Sequence, residues 1–385
     1  MIKVSKKVKV LYFVDRMLRG GIQSLVIDWV SRFDKEKIHV DFLLLDDGKK
    51  YELEETLKEL GCEVYKLEGM WLRKPLDYIK YNKLLDDFFS KHNDYKVVHL
   101  HSTSKNYPVL KYAKKYNIPI RISHSHNIDF QTNNPLKKII GNCLKPLLIK
   151  YSTDFYACSK IAGEWLFGKK IVNTDQFKII HNAIDYKKFQ YNESIRKKIR
   201  EELNLNENTI VLGNVARFEK QKNHEFLVDI FYEYQKKHKE AKLLLIGTGS
   251  LENVIKEKTK NLNIQDKVIF AGFKTNVNEY MQAMDYFVFP SLFEGLGLVL
   301  IEAQASGLQC FTSKDVVPNE VKASESLEFI PLSLTAKEWS DIINTKSVKR
   351  HNNLEEIKKN GYFIEDVVNL LSQTYLKGEL QDDKK

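Results

Sequence analysis

Short apolar runs rich in β-branched and aromatic residues recur along this chain with amphipathic helical stretches between them, and the pattern occurs twice. Residues 8–14, 40–45, 97–101 and 120–123 form the first series, and 209–213, 242–246, 268–271 and 286–289 the second. Strands that alternate with helices belong to a parallel sheet covered on both faces, so the fold class is α/β. At 385 residues the chain exceeds what one core usually serves. Two doubly wound domains are therefore expected, residues 1–190 and 191–360, joined in the charged stretch 184–206. A last helical pattern at 362–376 lies in a final segment, 361–385, that ends in a charged tail.

Charge is unevenly placed. Residues 1–185 hold 32 Lys and Arg against 22 Asp and Glu, whereas the remainder holds 29 of each, so the whole +10 excess sits in the first half. Such a half suits an anionic partner, either phosphate-bearing small molecules or an acidic membrane surface; ordinary solvation of dispersed lysines is the plainer reading. No nucleic-acid-binding motif is visible. Cys62, Cys143, Cys158 and Cys310 form no CxxC pair, which argues against a zinc site and a disulfide scaffold and fits a reducing cytoplasm. The apolar run after the lysine-rich start is too short for a signal peptide, and eighteen consecutive apolar residues occur nowhere, so any membrane contact is expected to be peripheral.

The densest chemistry lies in 286–307. A strand stopped by Pro290 leads through Glu294, Gly295, Leu296 and Gly297 into helix formers from Leu298, closed by Gly307. Glycines at a helix start let a ligand approach unpaired N–H groups and the positive end of the helix dipole, which reads as a phosphate site. Glu294 and Glu302 would stand about 12 Å apart on one unbroken helix, so only an intervening loop lets both serve one ligand.

Glu294-x7-Glu302 in this setting resembles the donor-site motif of retaining GT-B glycosyltransferases of family 4, glycosyl transferases group 1, in particular those of bacterial capsule and exopolysaccharide assembly. The resemblance implies two Rossmann-like domains facing a central cleft, with the carboxyl-terminal helix returning to the first domain. It also implies a nucleotide diphosphate sugar as co-substrate, with UDP the favoured nucleotide, and neither a cofactor nor a metal. In such enzymes Glu294 orients the donor, Glu302 accepts from ribose hydroxyls, and the diphosphate lies over Gly295 to Leu298.

Other loops extend the match. Gly213-Asn-Val-Ala-Arg217-Phe-Glu-Lys220-Gln-Lys222 presents cations after a strand; Arg217 can fork onto two phosphate oxygens and Lys222 supplies a point charge, a pattern resembling the family's Arg and Lys clamp. Gly272 and Phe273 correspond to a segment placed against the nucleobase. Gly20 and Gly21, after Arg19, resemble a loop laid against donor phosphates, although tight turns need glycines for conformational reasons too. Gly247-Thr-Gly249 reads equally well as a simple turn. His126, with His124 as second choice, matches a histidine beside the reacting sugar, and a structural role competes for both. His99 and His101 repeat the i,i+2 spacing that could suggest a metal, but no carboxylate or cysteine accompanies them.

Residues 135–150 place Leu136, Ile139, Ile140, Leu144, Leu147 and Leu148 at helical spacing among lysines, which suits either an anionic membrane or a core, with Pro146 expected to kink or split the helix. The expected activity is transfer of a hexose-type sugar to a growing, lipid-linked glycan. A non-catalytic binding subunit and a GT-B-like epimerase are the alternatives.

Overall fold

The computed structural model describes residues 7–18, 20–69, 77–130, 132 and 134–377. Arg19, the first six residues and the tail from residue 378 lie outside them. The chain forms two compact units, Met1–Ala183 with Ile364–Lys385, and Ile184–Phe363.

The first unit holds a seven-stranded sheet of β1 (Val8–Val14), β2 (Ile38–Leu45), β3 (Val64–Leu67), β4 (Val97–His101), β5 (Ile120–Ser125), β6 (Asp154–Ala157) and β7 (Phe177–Ile179), in the order β3-β2-β1-β4-β5-β6-β7. Every pairing between these strands is parallel. Side chains alternate across it: Val8, Val10, Tyr12 and Val14 enter one core, Leu11 and Phe13 the other. The carboxyl-terminal helix Ile364–Leu376 covers the first of these faces, with Ile364, Val367, Val368, Leu371 and Tyr375 buried in the same core as the even residues of β1. Full burial of such side chains contributes about 1.5–3 kcal/mol each, which holds the end of the chain on a sheet built from its beginning.

The second unit is a six-stranded parallel sheet of β8 (Val211–Val215), β9 (Lys242–Ile246), β10 (Val268–Gly272), β11 (Tyr286–Phe289), β12 (Gln309–Ser313) and β13 (Leu327–Ile330), ordered β10-β9-β8-β11-β12-β13. Phe287 and Phe289 face one core, Tyr286 and Val288 the other. In each sheet the strand order reverses beside the first strand of the unit, between β1 and β4 and between β8 and β11. Loops leaving the carboxyl ends of strands at such a reversal are where open α/β sheets hold ligands.

Three expectations are corrected. The strand placed at 209–213 is β8, two residues later, because the Thr209 carbonyl accepts from the Arg200 guanidinium at 2.6 Å instead of joining the ladder. The stretch 184–206 is no free linker: Arg196 pairs with Asp285 at 2.7 Å, and Arg200, 4% exposed, donates to the Ala283 carbonyl, so the helix Glu193–Glu202 is packed into the second unit. The helix after β1 spans Gly21–Val30. Pro146 lies within one continuous helix, Pro135–Tyr151, whose start is secured by Asn134 accepting from the Lys137 N–H.

That last helix also answers which face its apolar stripe serves. Leu148 is buried and Leu144 and Leu147 are partly so, but Leu136, Ile139 and Ile140 are 63%, 59% and 47% exposed, beside exposed Lys137 and Lys138. Only its second half is a core helix. No helix among the described residues is long and apolar enough to cross a membrane.

Candidate active site

In the second unit, the loop after β8 and the loop after β11 are stitched together. The Leu292 N–H donates to the Gln221 carbonyl at 2.8 Å, the Gln221 amide donates to the Phe293 carbonyl at 2.8 Å, and the Asn223 amide donates to the Pro290 carbonyl at 3.1 Å. At the centre, Lys222 Nζ meets Glu294 Oε1 at 2.6 Å, with only 16% and 6% of the two side chains exposed, and the same ammonium stands 4.9 Å above the Phe289 ring. A carboxylate predicted to orient a sugar and a lysine predicted to bind phosphate are thus direct partners, brought together from 72 residues apart. An ammonium has three N–H donors, and one bond to Glu294 leaves two for a ligand while fixing where the charge sits.

Arg217, exposed, stands at the head of the same loop. Its backbone is braced by residues that local reading treats as an ordinary turn. A Cβ on Gly247, at φ +135°, would come 2.0 Å from the Ala216 carbonyl oxygen, and one on Gly249 would come 2.6 Å from the Phe218 N and O. The turn after β9 therefore lies against Ala216–Phe218, and the Phe218 N–H bonds Thr248 O at 3.1 Å. Glycine is required at 247 because nothing larger fits under the arginine loop.

After β11, Gly295 has open space where a Cβ would stand, and Gly297, at φ +85°, is the left-handed residue before the helix Leu298–Ala305. Glu294 is anchored by its own N–H to the Val316 carbonyl at 3.1 Å. The N–H groups of Gly295, Leu296 and Gly297 have no backbone acceptor among the described residues, so the loop offers donors beside Lys222. Leu296 and Leu298 pack partly into the core, and Glu302 lies within the helix, partly exposed and with an interaction of its own. At the sheet edge the Gly247 N–H donates to Gly272 O at 2.9 Å, and Phe273 follows with 64% of its surface exposed.

In the first unit, Gly20 is extended at φ −171° and precedes the helix Gly21–Val30, and a Cβ on Gly21 would meet nothing. Neither backbone angle demands glycine, and a Cβ on Gly20 would meet only the Gln23 side-chain oxygen, at 2.8 Å. Asp15, which carries no motif in the sequence, secures the loop after β1 by accepting from Ser102 Oγ at 2.6 Å and Asn106 Nδ2 at 2.8 Å, with Lys105 at 2.6 Å. An acid closing an apolar strand was the available signal.

His124 and His126, at the end of β5, stack with ring centroids 4.1 Å apart and line a pocket with His101, Ser102, Thr103, Ser125 and Trp165. Burial pushes His99, His101 and His124 well below the ordinary imidazole range, and His126 down to about 4, so the rings are neutral near pH 7. Ligand nitrogens of His99, His101 and His124 lie within 4.8 Å of one another, which is close enough to consider a metal. Yet His99 Nε2 faces His124 Nδ1 at 3.1 Å and His99 Nδ1 faces Tyr375 OH at 2.7 Å, so both His99 nitrogens already have partners.

Comparison with known proteins follows this geometry. Residues 19–188 match the family model described as Glycosyltransferase Family 4, and residues 195–362 that described as Glycosyl transferases group 1. EpsF of Bacillus subtilis (strain 168) is 28% identical over 96% of this chain and 97% of its own length. The capsular polysaccharide biosynthesis glycosyltransferase CapH of Staphylococcus aureus is 26% identical over 97% and 100%. The N-acetylgalactosamine-N,N'-diacetylbacillosaminyl-diphospho-undecaprenol 4-alpha-N-acetylgalactosaminyltransferase of Campylobacter jejuni is 28% identical over 76% and 77%. Among solved structures, Anabaena Alr3699/HepE in complex with UDP and glucose aligns with a TM-score of 0.67 and 17% identity over 98% of each chain, a likeness of fold. With two family models matched in succession and two parallel α/β sheets of GT-B type beneath them, the chain belongs to the family 4, group 1 glycosyltransferases, with a capsular polysaccharide biosynthesis enzyme among its relatives.

Proposed function

We propose that the protein transfers a hexose-type sugar, with retention of anomeric configuration, from a nucleotide diphosphate sugar, UDP being the favoured nucleotide, to a lipid-linked glycan at the inner face of a membrane. The observation that carries this reading is the Lys222–Glu294 pair held between two stitched loops at the strand reversal of the second sheet. Support for the donor comes from HepE, whose structure holds UDP and glucose, and for the acceptor from the Campylobacter jejuni relative, whose name specifies a diphospho-undecaprenol carrier. The exposed Leu136, Ile139 and Ile140 beside Lys137 and Lys138 suit an anionic bilayer surface.

In this mechanism Arg217 and Lys222 take up the charge that develops on the leaving diphosphate, together with the free N–H groups from Gly295 to Gly297. Because Glu294 already fixes the ammonium, that stabilisation needs no reorganisation during reaction. Hydrogen bonds to ionised groups contribute about 1.5–3 kcal/mol, so loss of either cation lowers the rate by roughly one to two powers of ten. Glu294 orients the donor, Glu302 the ribose, and Phe273 with Gly272 the base; Gly20 and Gly21 give the phosphates room, and His124 and His126 meet the sugar. The acceptor hydroxyl attacks the anomeric carbon on the face the diphosphate leaves, and a phosphate oxygen takes its proton. No metal or cofactor is needed for these steps.

Calorimetry of UDP, GDP and ADP against wild type and Arg217→Ala tests the donor site, followed by transfer assays with the sugar forms of whichever binds. Selective binding of one diphosphate, weakened at least tenfold in the variant, is expected. If no nucleotide binds, the donor assignment fails and a binding subunit dependent on a catalytic partner becomes the better description.

A further inference from the structure

The four histidines at the ends of β4 and β5 are organised by hydrogen bonds into two strings. His99 Nε2 and His124 Nδ1 are 3.1 Å apart in rings only 9° from parallel with centroids 5.2 Å apart, the dimensions of an in-plane bond and not of a face-to-face stack. His101 Nδ1 and His126 Nε2 pair likewise at 3.0 Å, with centroids 5.2 Å apart. One pair lies on the other, His99 on His101 and His124 on His126, each at 4.1 Å between centroids. The first string continues inward, from His99 Nδ1 to Tyr375 OH at 2.7 Å and from Tyr375 OH to Tyr12 OH at 2.7 Å.

Counting protons orders this string. Tyr12, Tyr375, His99 and neutral His124 carry four mobile protons, and their three shared bonds hold three of them. The fourth sits at one end, either on a Tyr12 hydroxyl turned away from Tyr375 or on His124 Nε2. Tyr12 is 0% exposed and has no other hydrogen-bond partner among the described residues, so an O–H turned away there would be an unsatisfied donor in a dry core. A buried donor left unmade costs about 1–3 kcal/mol. His124 is also 0% exposed and its Nε2 is likewise without a protein partner, but His124 lines the pocket, so this end of the string is the one that faces a space a ligand or water can fill. The string therefore runs one way: Tyr12 donates to Tyr375, Tyr375 donates to His99 Nδ1, and His99 Nε2–H donates to His124 Nδ1. The second string has no such buried hydroxyl anchor: His101 Nε2 meets no partner, and His126 has the Asn182 side chain beside it.

We infer that His124 is held as the Nε2–H tautomer by Tyr375 of the carboxyl-terminal helix acting through His99, and that it donates a hydrogen bond to a hydroxyl oxygen of the sugar. This rests on the reading that the pocket takes the sugar, and it makes His124 a binding donor that cannot serve as a base. Tyr375 is a positioning residue. The lining suits such a ligand, since Ser102, Thr103, Ser125 and Trp165 are uncharged polar or aromatic.

Long-range proton–nitrogen correlation spectra of the full chain labelled with 15N-histidine read each ring's tautomer directly, with His124 assigned by the signal missing in His124→Gln. Wild type and Tyr12→Phe are expected to show His124 protonated at Nε2, because Tyr375 can still donate only to His99. Tyr375→Phe frees both polarities, so the Nε2–H population falls toward about half. A proton on His124 Nδ1 in wild type overturns the inference, and so does a Tyr375→Phe spectrum unchanged at His124. Should Tyr375→Phe not fold, the wild-type spectrum alone decides the tautomer. No substrate enters this measurement, so the tautomer is decided even if the assignment of sugar transfer is wrong. In the transfer assay His124→Gln, which keeps a donor and cannot act as a base, should retain activity within about tenfold, and His124→Leu should lose at least a hundredfold; equal losses, or no loss in either, would overturn the donor role.

Discussion

Glu294→Ala, Lys222→Ala and the double variant test whether the two stitched loops owe their shape to one ion pair. Removing one member of a buried pair leaves an uncompensated charge and costs about 3–5 kcal/mol. Lys222 keeps 16% and Glu294 6% of its side chain exposed, so water relieves part of that charge and the cost falls to or just below the bottom of that range, about 2–3 kcal/mol for each single change. For a domain of this size 1 kcal/mol moves the melting temperature by about 2–4 °C, and the second unit should therefore melt about 5–10 °C lower. The double variant leaves no stray charge and should cost less than the two singles together, by at least about 1 kcal/mol of coupling. Differential scanning calorimetry and urea unfolding supply the cycle, and titration with UDP supplies the functional arm. Glu294→Ala should retain UDP affinity, because Lys222 stays over Phe289 and gains a free donor, while sugar transfer is lost. Additive singles, each below about 1 kcal/mol, would refute the claim that the pair is buried and coupled. Loss of UDP binding in Glu294→Ala with the fold intact would refute the division of labour between phosphate and sugar.

Gly247→Ala should cost the second unit about 2–4 kcal/mol by urea unfolding, since its Cβ meets backbone at 2.0 Å, whereas Gly295→Ala should leave stability unchanged and weaken UDP binding. Acid should weaken the first unit: His99, His101 and His124 are held below their unfolded value of about 6.5, so the unfolded chain binds more protons below that pH. Stability is then complete above about pH 6.5 and falls as pH drops through it, each ring contributing up to about 1.4 kcal/mol per pH unit until its own folded value is reached, about 4 for His126. A flat urea midpoint from pH 7.5 to 5 would sink that account. Ile139→Asp with Ile140→Asp should abolish sedimentation with phosphatidylglycerol vesicles and, being surface changes, alter stability by less than about 0.5 kcal/mol each; unchanged sedimentation would dissociate this helix from the bilayer.

What the sequence discloses is what local chemistry determines. β1, β4, β9 and β11 occupy the residues read from their apolar runs, and the turn from β11 into Leu298–Ala305 announces itself through Pro290, Gly297 and Gly307. Tertiary contacts decided the rest. β8 slid by two residues because Arg200 captured a carbonyl, and the apparent linker became a packed helix because two guanidinium groups reach Asp285 and the carbonyls around it. Gly247 looked like any turn glycine, for its constraint is the Ala216 backbone on another loop. The hydroxyl of Tyr375 carried no signal at all, as its partner His99 lies 276 residues away and only the return of the last helix brings them together.

The order of strands in the second sheet links these pieces to a ligand of definite shape. Gly272 and Phe273 leave β10 at the edge, Arg217 and Lys222 leave β8 two strands inward, and Glu294 leaves β11 one strand further. Neighbouring strands are about 4.8 Å apart, so the loops carrying the exposed aromatic and the cations leave the sheet about 10 Å from one another. A ligand that uses all three must be flat and apolar at one end, anionic at the middle and polar beyond it, since Phe273 offers a face, Arg217 and Lys222 offer charge, and Glu294 offers an acceptor. Inorganic phosphate would use only the middle, and a free sugar only the far end. The nucleoside diphosphate sugar proposed as donor would use the whole row, and that is the reason to test nucleotides before acceptors.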